Sequence, residues 1–218
     1  MRSLADWLVY QQRTHPRSVD MSLERVGAVA RRLGLLEHRV PVATIAGTNG
    51  KGSTATTLAH LLRACGQKVG LFTSPHLVRY HERIQIDGAA VADAELVEAF
   101  EQIESQRAGI TLTFFEYNAL AALLLFRRAQ VGAMVLEVGL GGRLDATNIV
   151  DADVAVLCSV GFDHREYLCD TLEKIGAEKA GIFRRGQKVV LSTIEMPTSV
   201  GDAARALDCQ VYVAERDF

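Results

Sequence analysis

Ile45-Ala46-Gly47-Thr48-Asn49-Gly50-Lys51-Gly52-Ser53-Thr54 is the stretch on which the reading of this chain turns. Ahead of it, Val40 to Ala46 is a short apolar run with β-branched residues, the pattern of a buried strand. Behind it, Thr56 to Ala64 places Leu58, Ala59, Leu61 and Leu62 at helical spacing. Strand, glycine-rich loop and helix form the geometry that holds a phosphate. Small residues let backbone N–H groups approach the oxyanions, the helix N-terminus adds a partial positive charge, and Lys51 adds a whole one. The common nucleotide-binding pattern is G-x-x-x-x-G-K-[ST]. This chain departs from it twice: Ile45 stands where the first glycine would be, and Gly52 follows Lys51, so a hydroxyl arrives only at Ser53 or Thr54. Gly47, Gly50, Gly52 and Lys51 at the end of a strand nevertheless favour phosphate binding over a solvated turn.

The chain has 218 residues, enough for one large domain with a sizeable core. With 49% hydrophobic and 23% charged residues, it has an ordinary α/β composition. A formal net charge of −2 gives no electrostatic case for nucleic acid. No apolar run is long enough to span a bilayer, and the early Asp6 interrupts any signal-peptide core, so a cytoplasmic location is expected, with no membrane partner. Cys65, Cys158, Cys169 and Cys209 show no C-x-x-C pairing and read as reduced thiols.

Taken in order, residues 4–12 and 20–35 read as helices, with Asp20 or Ser22 as candidate cap of the second. His15 lies in a loop that Pro16 keeps out of helix. Residues 68–73 read as a second strand, ending in Thr73-Ser74-Pro75-His76. Residues 79–87 alternate and predict a hairpin arm with its turn at Asp87-Gly88. A helix over 93–106 is expected to be capped by Asp93, and a buried helix to run from Thr113 through Phe126. Thr113 and Glu116 have capping-box spacing, so Glu116 reads equally as a cap or a ligand contact. Phe114 and Phe115 read as core or as a platform for a heterocycle. Strands follow at 133–138 and 154–160, then a helix over 171–183, strands at 188–192 and 210–214, and a helix over 197–207 between them. Six strands separated mostly by helices imply a doubly wound, mostly parallel α/β sheet, with no internal domain boundary.

In such a sheet, ligands bind at the carboxyl ends of the strands. Ser74, Glu137, His164 and the phosphate loop all fall at or near such ends. Glu137, inside Met134-Val-Leu-Glu-Val138, is costly unless paired or metal-bound. Together the residues look like a magnesium–nucleotide site, with His164 open between metal ligand and core histidine.

On further blocks, the chain resembles the bifunctional dihydrofolate synthase/folylpolyglutamate synthase family, of the Mur-ligase type. The blocks are THPRSVDMSLERV (14–26), AGTNGKGST (46–54), TSPHLVRYHERI (73–84), TFFEYNAL (113–120), LEVGLGGRLDATNIVDADVAV (136–156), Asp163-His164 and EKAGIFR (178–184). AGTNGKGS marks the wider superfamily; VGLGGRLDATN with SPHL and TFFE is narrower and points to the folate branch. The resemblance implies a Mur-ligase-like ATPase domain. It also implies a ligase in folate biosynthesis that uses ATP to phosphorylate a carboxylate of 7,8-dihydropteroate or of a folate (poly)glutamate. L-glutamate then attacks the acyl phosphate.

By the same resemblance, Thr48, Asn49, Gly50, Lys51, Gly52 and Ser53 bind the nucleotide, the backbone N–H groups of 48–52 holding phosphates. Ser53 and Ser74 ligate one Mg²⁺; Glu137 and His164 hold a second. Lys51, His164 and Lys179 are the catalytic candidates, Lys179 matching a lysine that the family carries as a carbamate, against the plain reading of a helix-surface lysine. Asp20, Met21, Ser22, Leu23, Thr113, Phe114, Phe115, Glu116, Leu144, Asp145 and Ala146 are implied to surround the pterin, with a phenylalanine stacking and Asp145 hydrogen-bonding a ring or amide group.

There are two departures. Arg165-Glu166-Tyr167-Leu168-Cys169 replaces the family's usual small polar residue, acid and Trp-Leu-Gly after the histidine. The family also continues well past residue 218, with the rest of the ATPase domain and a C-terminal glutamate-ligase domain. Residues 1–218 therefore read as an incomplete N-terminal ATP-binding domain, expected to be monomeric, to bind nucleotide weakly and not to complete ligation alone. The competing readings are a Mur-type cell-wall peptide ligase, which the LERV, SPHL and TFFE blocks oppose, and a non-catalytic nucleotide-binding fragment.

Overall fold

Apolar runs too short for a helix can satisfy their backbone groups only by pairing, and here they pair into one sheet. The computed structural model describes residues 2–37, 40–162 and 170–218. The eight strands are β1 (Val42–Ala46), β2 (Val69–Phe72), β3 (Ile84–Ile86), β4 (Ala89–Ala90), β5 (Ala133–Glu137), β6 (Val154–Leu157), β7 (Lys188–Leu191) and β8 (Gln210–Val213). Their order across the sheet is β4-β3-β2-β5-β1-β6-β7-β8. The six from β2 to β8 run parallel, and β3 and β4 add antiparallel at one edge. The chain moves from β1 to β2 on one side and later returns to place β6 on the other, so the sheet's order reverses at β1.

The helices are α1 (Leu4–Thr14), α2 (Glu24–Arg32), α3 (Lys51–Ala64), α4 (Asp93–Arg107), α5 (Phe114–Ala129), α6 (Leu172–Ala180) and α7 (Thr198–Ala206). Strand alternation sorts β1 between two cores. Val42 joins the large cluster built with α5, while Ala43 and Ile45 meet α3 on the opposite face. A third cluster packs α6 and α7 on β6 and β7 through Ala155, Leu157, Val189 and Leu191. The run Glu116 to Phe126 is buried throughout, which fixes α5 as the central helix of its layer. The reciprocal box at its start is made: Thr113 N–H donates to Glu116 Oε2 at 2.7 Å, and Glu116 N–H to Thr113 Oγ1 at 3.2 Å.

Several local expectations shift. Helix α2 starts at Glu24 rather than 20, with Leu23 at its N-cap; Asp20 is drawn off the helix path by Arg25 at 3.3 Å, and Ser22 Oγ accepts from Glu24 N–H. Helix α3 starts at Lys51, inside the glycine-rich stretch, because Gly50 takes a left-handed φ of 84° and turns the chain into the first helical turn. Ala92, not Asp93, caps α4, its N–H held by Glu95. The arm at 79–87 folds as a 3₁₀ turn (Tyr80–Arg83) followed by β3, which joins the main sheet. Strand β6 ends at Leu157, and 158–162 runs on as a loop. At the far edge, the Gln210 N–H donates to the Gln187 carbonyl and the Ala214 N–H to that of Leu191, and the outward N–H of Val213 is held by the Asp217 carboxylate at 2.7 Å.

Candidate active site at the carboxyl ends of the strands

Reversal of strand order at β1 opens a crevice between the loops that follow its neighbours. The loop after β1 carries Gly47–Gly50; Glu137 ends β5, beside β1; Ser74 follows β2; and the loop after β6 begins at Cys158. Glu137 is 3% exposed. Its Oε2 accepts the N–H of Ser74 at 2.9 Å, which ties the end of β5 to the loop after β2. The same carboxylate lies over the first turn of α3: a Cβ at Gly52 would be 3.5 Å from Oε2 and 3.6 Å from Oε1. Burial pushes the Glu137 carboxyl up, opposed by the Ser74 N–H and the charges of Lys51 and Arg83.

The Lys51 ammonium is turned back on its own loop, donating to the carbonyls of Gly47 at 2.9 Å and Thr48 at 3.1 Å. Of the backbone donors expected to cradle phosphates, two serve the protein instead. Thr48 N–H donates to the Ser159 carbonyl, and Asn49 N–H to Ser159 Oγ at 2.8 Å. Thr54 N–H returns to Gly50 O as an ordinary helical bond. The N–H groups of residues 50–53 have no acceptor among the described residues, and they form the open N-terminus of α3. Ser53 is exposed at that turn.

Hard oxygen donors and a helix N-terminus suit a magnesium–phosphate group. The fit shows in the side chains: Gly52 has none, so the buried Glu137 carboxylate reaches the helix start, with the Ser53 and Ser74 positions flanking it. Among the described residues, no three His, Cys, Asp or Glu side chains cluster as a ready-made metal centre. His164 lies outside the described residues.

The second glycine-rich loop docks on the last turn of α6. A Cβ at Gly142 would fall 2.8 Å from the Glu178 carbonyl and 2.9 Å from that of Lys179. Arg143 N–H donates to Glu178 O, and the Arg143 guanidinium grips Glu178 Oε1. Lys179 is 3% exposed, which rules out the helix-surface reading. Asp145 is the organiser of this loop. Its carboxylate accepts from the N–H groups of Gly139, Leu140 and Thr147 and from the Thr147 hydroxyl. Burial raises its pKa and those four donors oppose the rise. Leu144 is half-buried and Ala146 buried beside it.

The residues grouped around the pterin reading fall into two sets. Arg25 bridges Asp20, at 3.3 Å, to Glu116, at 3.2 Å, and His15 adds a contact to Asp20 at 3.5 Å. Glu116 thus both caps α5 and faces a cation. Burial pushes its carboxyl up, against the Thr113 N–H and Arg25. Met21, Ser22 and Leu23 are half-buried on the same approach. Phe115 lies against Gly139, where a Cβ would come within 2.4 Å of the ring, and tilts on Phe72 at 5.7 Å. Phe114 meets Tyr80 and Arg83.

Arg83 and Ser159 are the residues that sequence reasoning misses. Arg83 is buried within the charge range of Glu137, with its Nε donating to His76 Nδ1 at 2.9 Å. In sequence it is one charge in an alternating arm, with nothing to mark burial.

Residues 45–207 match the family model described as the Mur ligase middle domain. The chain is 51% identical over 202 residues to the dihydrofolate synthase/folylpolyglutamate synthase of Escherichia coli (strain K12), covering 93% of this chain and 48% of that protein. It is 46% identical over 215 residues to the protein of that name from Haemophilus influenzae, covering 98% and 48%. Among solved structures, E. coli FolC in complex with DHPP and ADP superposes with a TM-score of 0.95 at 48% identity, over 97% of this chain and 51% of that one. A bifunctional folylpolyglutamate synthase/dihydrofolate synthase with Mn, AMPPNP and L-glutamate bound gives 0.91 at 48% identity, over 98% and 52%. The chain thus spans about half the length of these relatives.

Proposed function

Because the chain belongs to the Mur ligase middle-domain family, we propose that it is the N-terminal, ATP-binding part of a ligase that adds L-glutamate to 7,8-dihydropteroate and to folate (poly)glutamates. The observation that carries this reading is the meeting of the phosphate loop, Ser74 and the buried Glu137 carboxylate on one rim of the sheet. Relatives crystallised with ADP, with AMPPNP and Mn, with DHPP and with L-glutamate support the same ligands here.

In this reading the N–H groups of residues 50–53 and the Lys51 ammonium receive the phosphates, Lys51 exchanging its loop carbonyls for phosphate oxygens. Phosphoryl transfer depends on positioning and charge neutralisation more than on covalent chemistry, and this rim supplies both. Ser53 and Ser74 would hold one Mg²⁺, and Glu137 with His164 a second. When bound, the ions neutralise charge building on the transferred phosphoryl group. The substrate carboxylate takes the terminal phosphoryl group, and the amine of glutamate displaces phosphate from the acyl phosphate. Lys179, buried in the last turn of α6, is the residue proposed to carry a carbamate. The group Asp20–Leu23, Thr113–Glu116 and Leu144–Ala146 is proposed to hold the pterin. Phe115 supplies its ring, while Asp145 acts first through the loop it organises.

The 218-residue chain is expected to bind Mg–ADP weakly and to release no ADP in response to dihydropteroate and glutamate. The same segment joined to a C-terminal half like that of its relatives is expected to turn over. Calorimetric titration with Mg–ADP and a coupled ADP-release assay test both parts. Glutamate-dependent turnover by the 218-residue chain would overturn the first, and failure of both proteins to bind nucleotide would overturn the reading.

A further inference from the structure

The phosphate loop is fastened to the exit of β6 by two hydroxyls, each used as both donor and acceptor. Thr48 Oγ1 donates to the Gly161 carbonyl at 3.1 Å and accepts the Gly161 N–H at 2.9 Å. Ser159 Oγ donates to the Asn49 carbonyl at 3.1 Å and accepts the Asn49 N–H at 2.8 Å. A fifth bond, Thr48 N–H to the Ser159 carbonyl at 2.9 Å, lies between them. The two loops are 110 to 113 residues apart in sequence. Their backbones also touch: a Cβ at Gly47 would lie 3.0 Å from Cys158 Cβ and 3.1 Å from Ser159 N.

A hydroxyl has one proton and two lone pairs. Each of these has its proton and an acceptor site engaged by one residue of the opposite loop, so neither hydroxyl is directed at a phosphate. We propose that Thr48 and Ser159 are positioning residues for the nucleotide: their hydroxyls latch the phosphate loop to the β6 exit and hold the N–H groups of residues 50–53 in register before the phosphates arrive. A loop with glycines at 47, 50 and 52 has much conformational freedom to lose on binding. Fastening it within the fold removes part of that cost from the binding step, which is how preorganisation raises affinity. The inference rests on the nucleotide reading of the loop and assigns to Thr48 a role through the loop rather than on the ligand.

The test compares Thr48→Val, Thr48→Ser and Ser159→Ala with the unsubstituted 218-residue chain, by Mg–ADP titration and by thermal melting without nucleotide. Ser3→Ala, which removes the cap of α1, serves as a destabilised control away from the loop. Thr48→Val and Ser159→Ala are each expected to weaken Mg–ADP binding about tenfold, while Thr48→Ser retains the original affinity. Ser3→Ala should melt earlier and bind unchanged. If Thr48→Val and Ser159→Ala melt earlier but bind Mg–ADP as the original chain does, the latch is structural only and the proposal is overturned. The same variants are compared in the segment joined to a C-terminal half like that of its relatives, and if neither unsubstituted protein binds Mg–ADP, the nucleotide reading falls and the latch proposal falls with it.

Discussion

The carboxylate of Glu137 stands 3.5 Å from the point where a side chain at Gly52 would begin. In the common nucleotide loop that position is a serine or threonine whose hydroxyl goes to the metal. Here a carboxylate from the neighbouring strand takes the space, and the first hydroxyl comes one residue later. That distance is an ordinary contact, so a small side chain fits, but a hydroxyl there would donate to Glu137 and compete with a cation. Gly52→Ser is therefore expected to reduce the Mg²⁺ enhancement of ADP binding by about tenfold while leaving the melting temperature close to the original. Titrations with and without Mg²⁺ measure it, and an unaltered metal dependence would remove Glu137 from the metal site.

Lys51 now holds the carbonyls of Gly47 and Thr48. Those are neutral acceptors, whereas a phosphate oxygen carries the opposite charge and adds Coulombic attraction to the hydrogen bond. Lys51→Ala should weaken ADP binding by roughly ten- to a hundredfold and flatten its dependence on ionic strength. Affinity that falls with salt as steeply in the variant as in the original would show that the ammonium does not meet the phosphates.

Asp145 accepts from four donors inside the loop that docks on α6. Truncation leaves those donors buried and unpaired, and Asp145→Ala should cost about 3–5 kcal/mol in urea denaturation. A loss below about 1 kcal/mol, with impaired dihydropteroate binding, would instead mean that the carboxylate serves mainly the ligand.

Glu104 joins three helices. Its carboxylate receives Tyr10 of α1, Tyr117 of α5 and a two-nitrogen grip from Arg107 on its own helix. Burial pushes the group up, but hydrogen bonds from Arg107, Tyr117 and Tyr10 outweigh it and hold the pKa at about 2, below the ordinary 4.5. A folded-state value below the unfolded one stabilises above pH 4.5, and that stability is lost as pH falls through 4.5 towards about 2. With the side chain a quarter exposed, the contribution is about 1–2 kcal/mol after screening. Glu104→Gln should be less stable by that amount at neutral pH and converge on the original chain only as pH falls to about 2; parallel acid-denaturation curves would exclude the assignment.

The parallel strands are legible in sequence because each is a short, mostly apolar run bounded by turn residues, and the central ones, such as Ala133–Glu137, are buried on both faces. The Asp87-Gly88 turn is legible too. Membership of Ile84–Ile86 in the main sheet is not, since it depends on pairing with β2 across a segment whose local pattern does not encode a partner. The start of α3 is misread because glycine is a poor helix former; the left-handed Gly50 overrides that preference locally. In the candidate site, Ser74, Glu137 and the phosphate loop stand out as polar residues at strand ends. Arg83 is buried by a 3₁₀ turn, and Ser159 matters through a loop more than a hundred residues away, so neither leaves a local trace.

The small ties at the rims of the sheet matter when copies of the chain meet. An open strand invites edge-to-edge addition by a second molecule, the first step of many aggregates. Here β4 is only two residues long, and at the other margin Asp217 already occupies the outward Val213 amide with a charged group. An invading strand would find too short a template on one flank and a carboxylate in its path on the other.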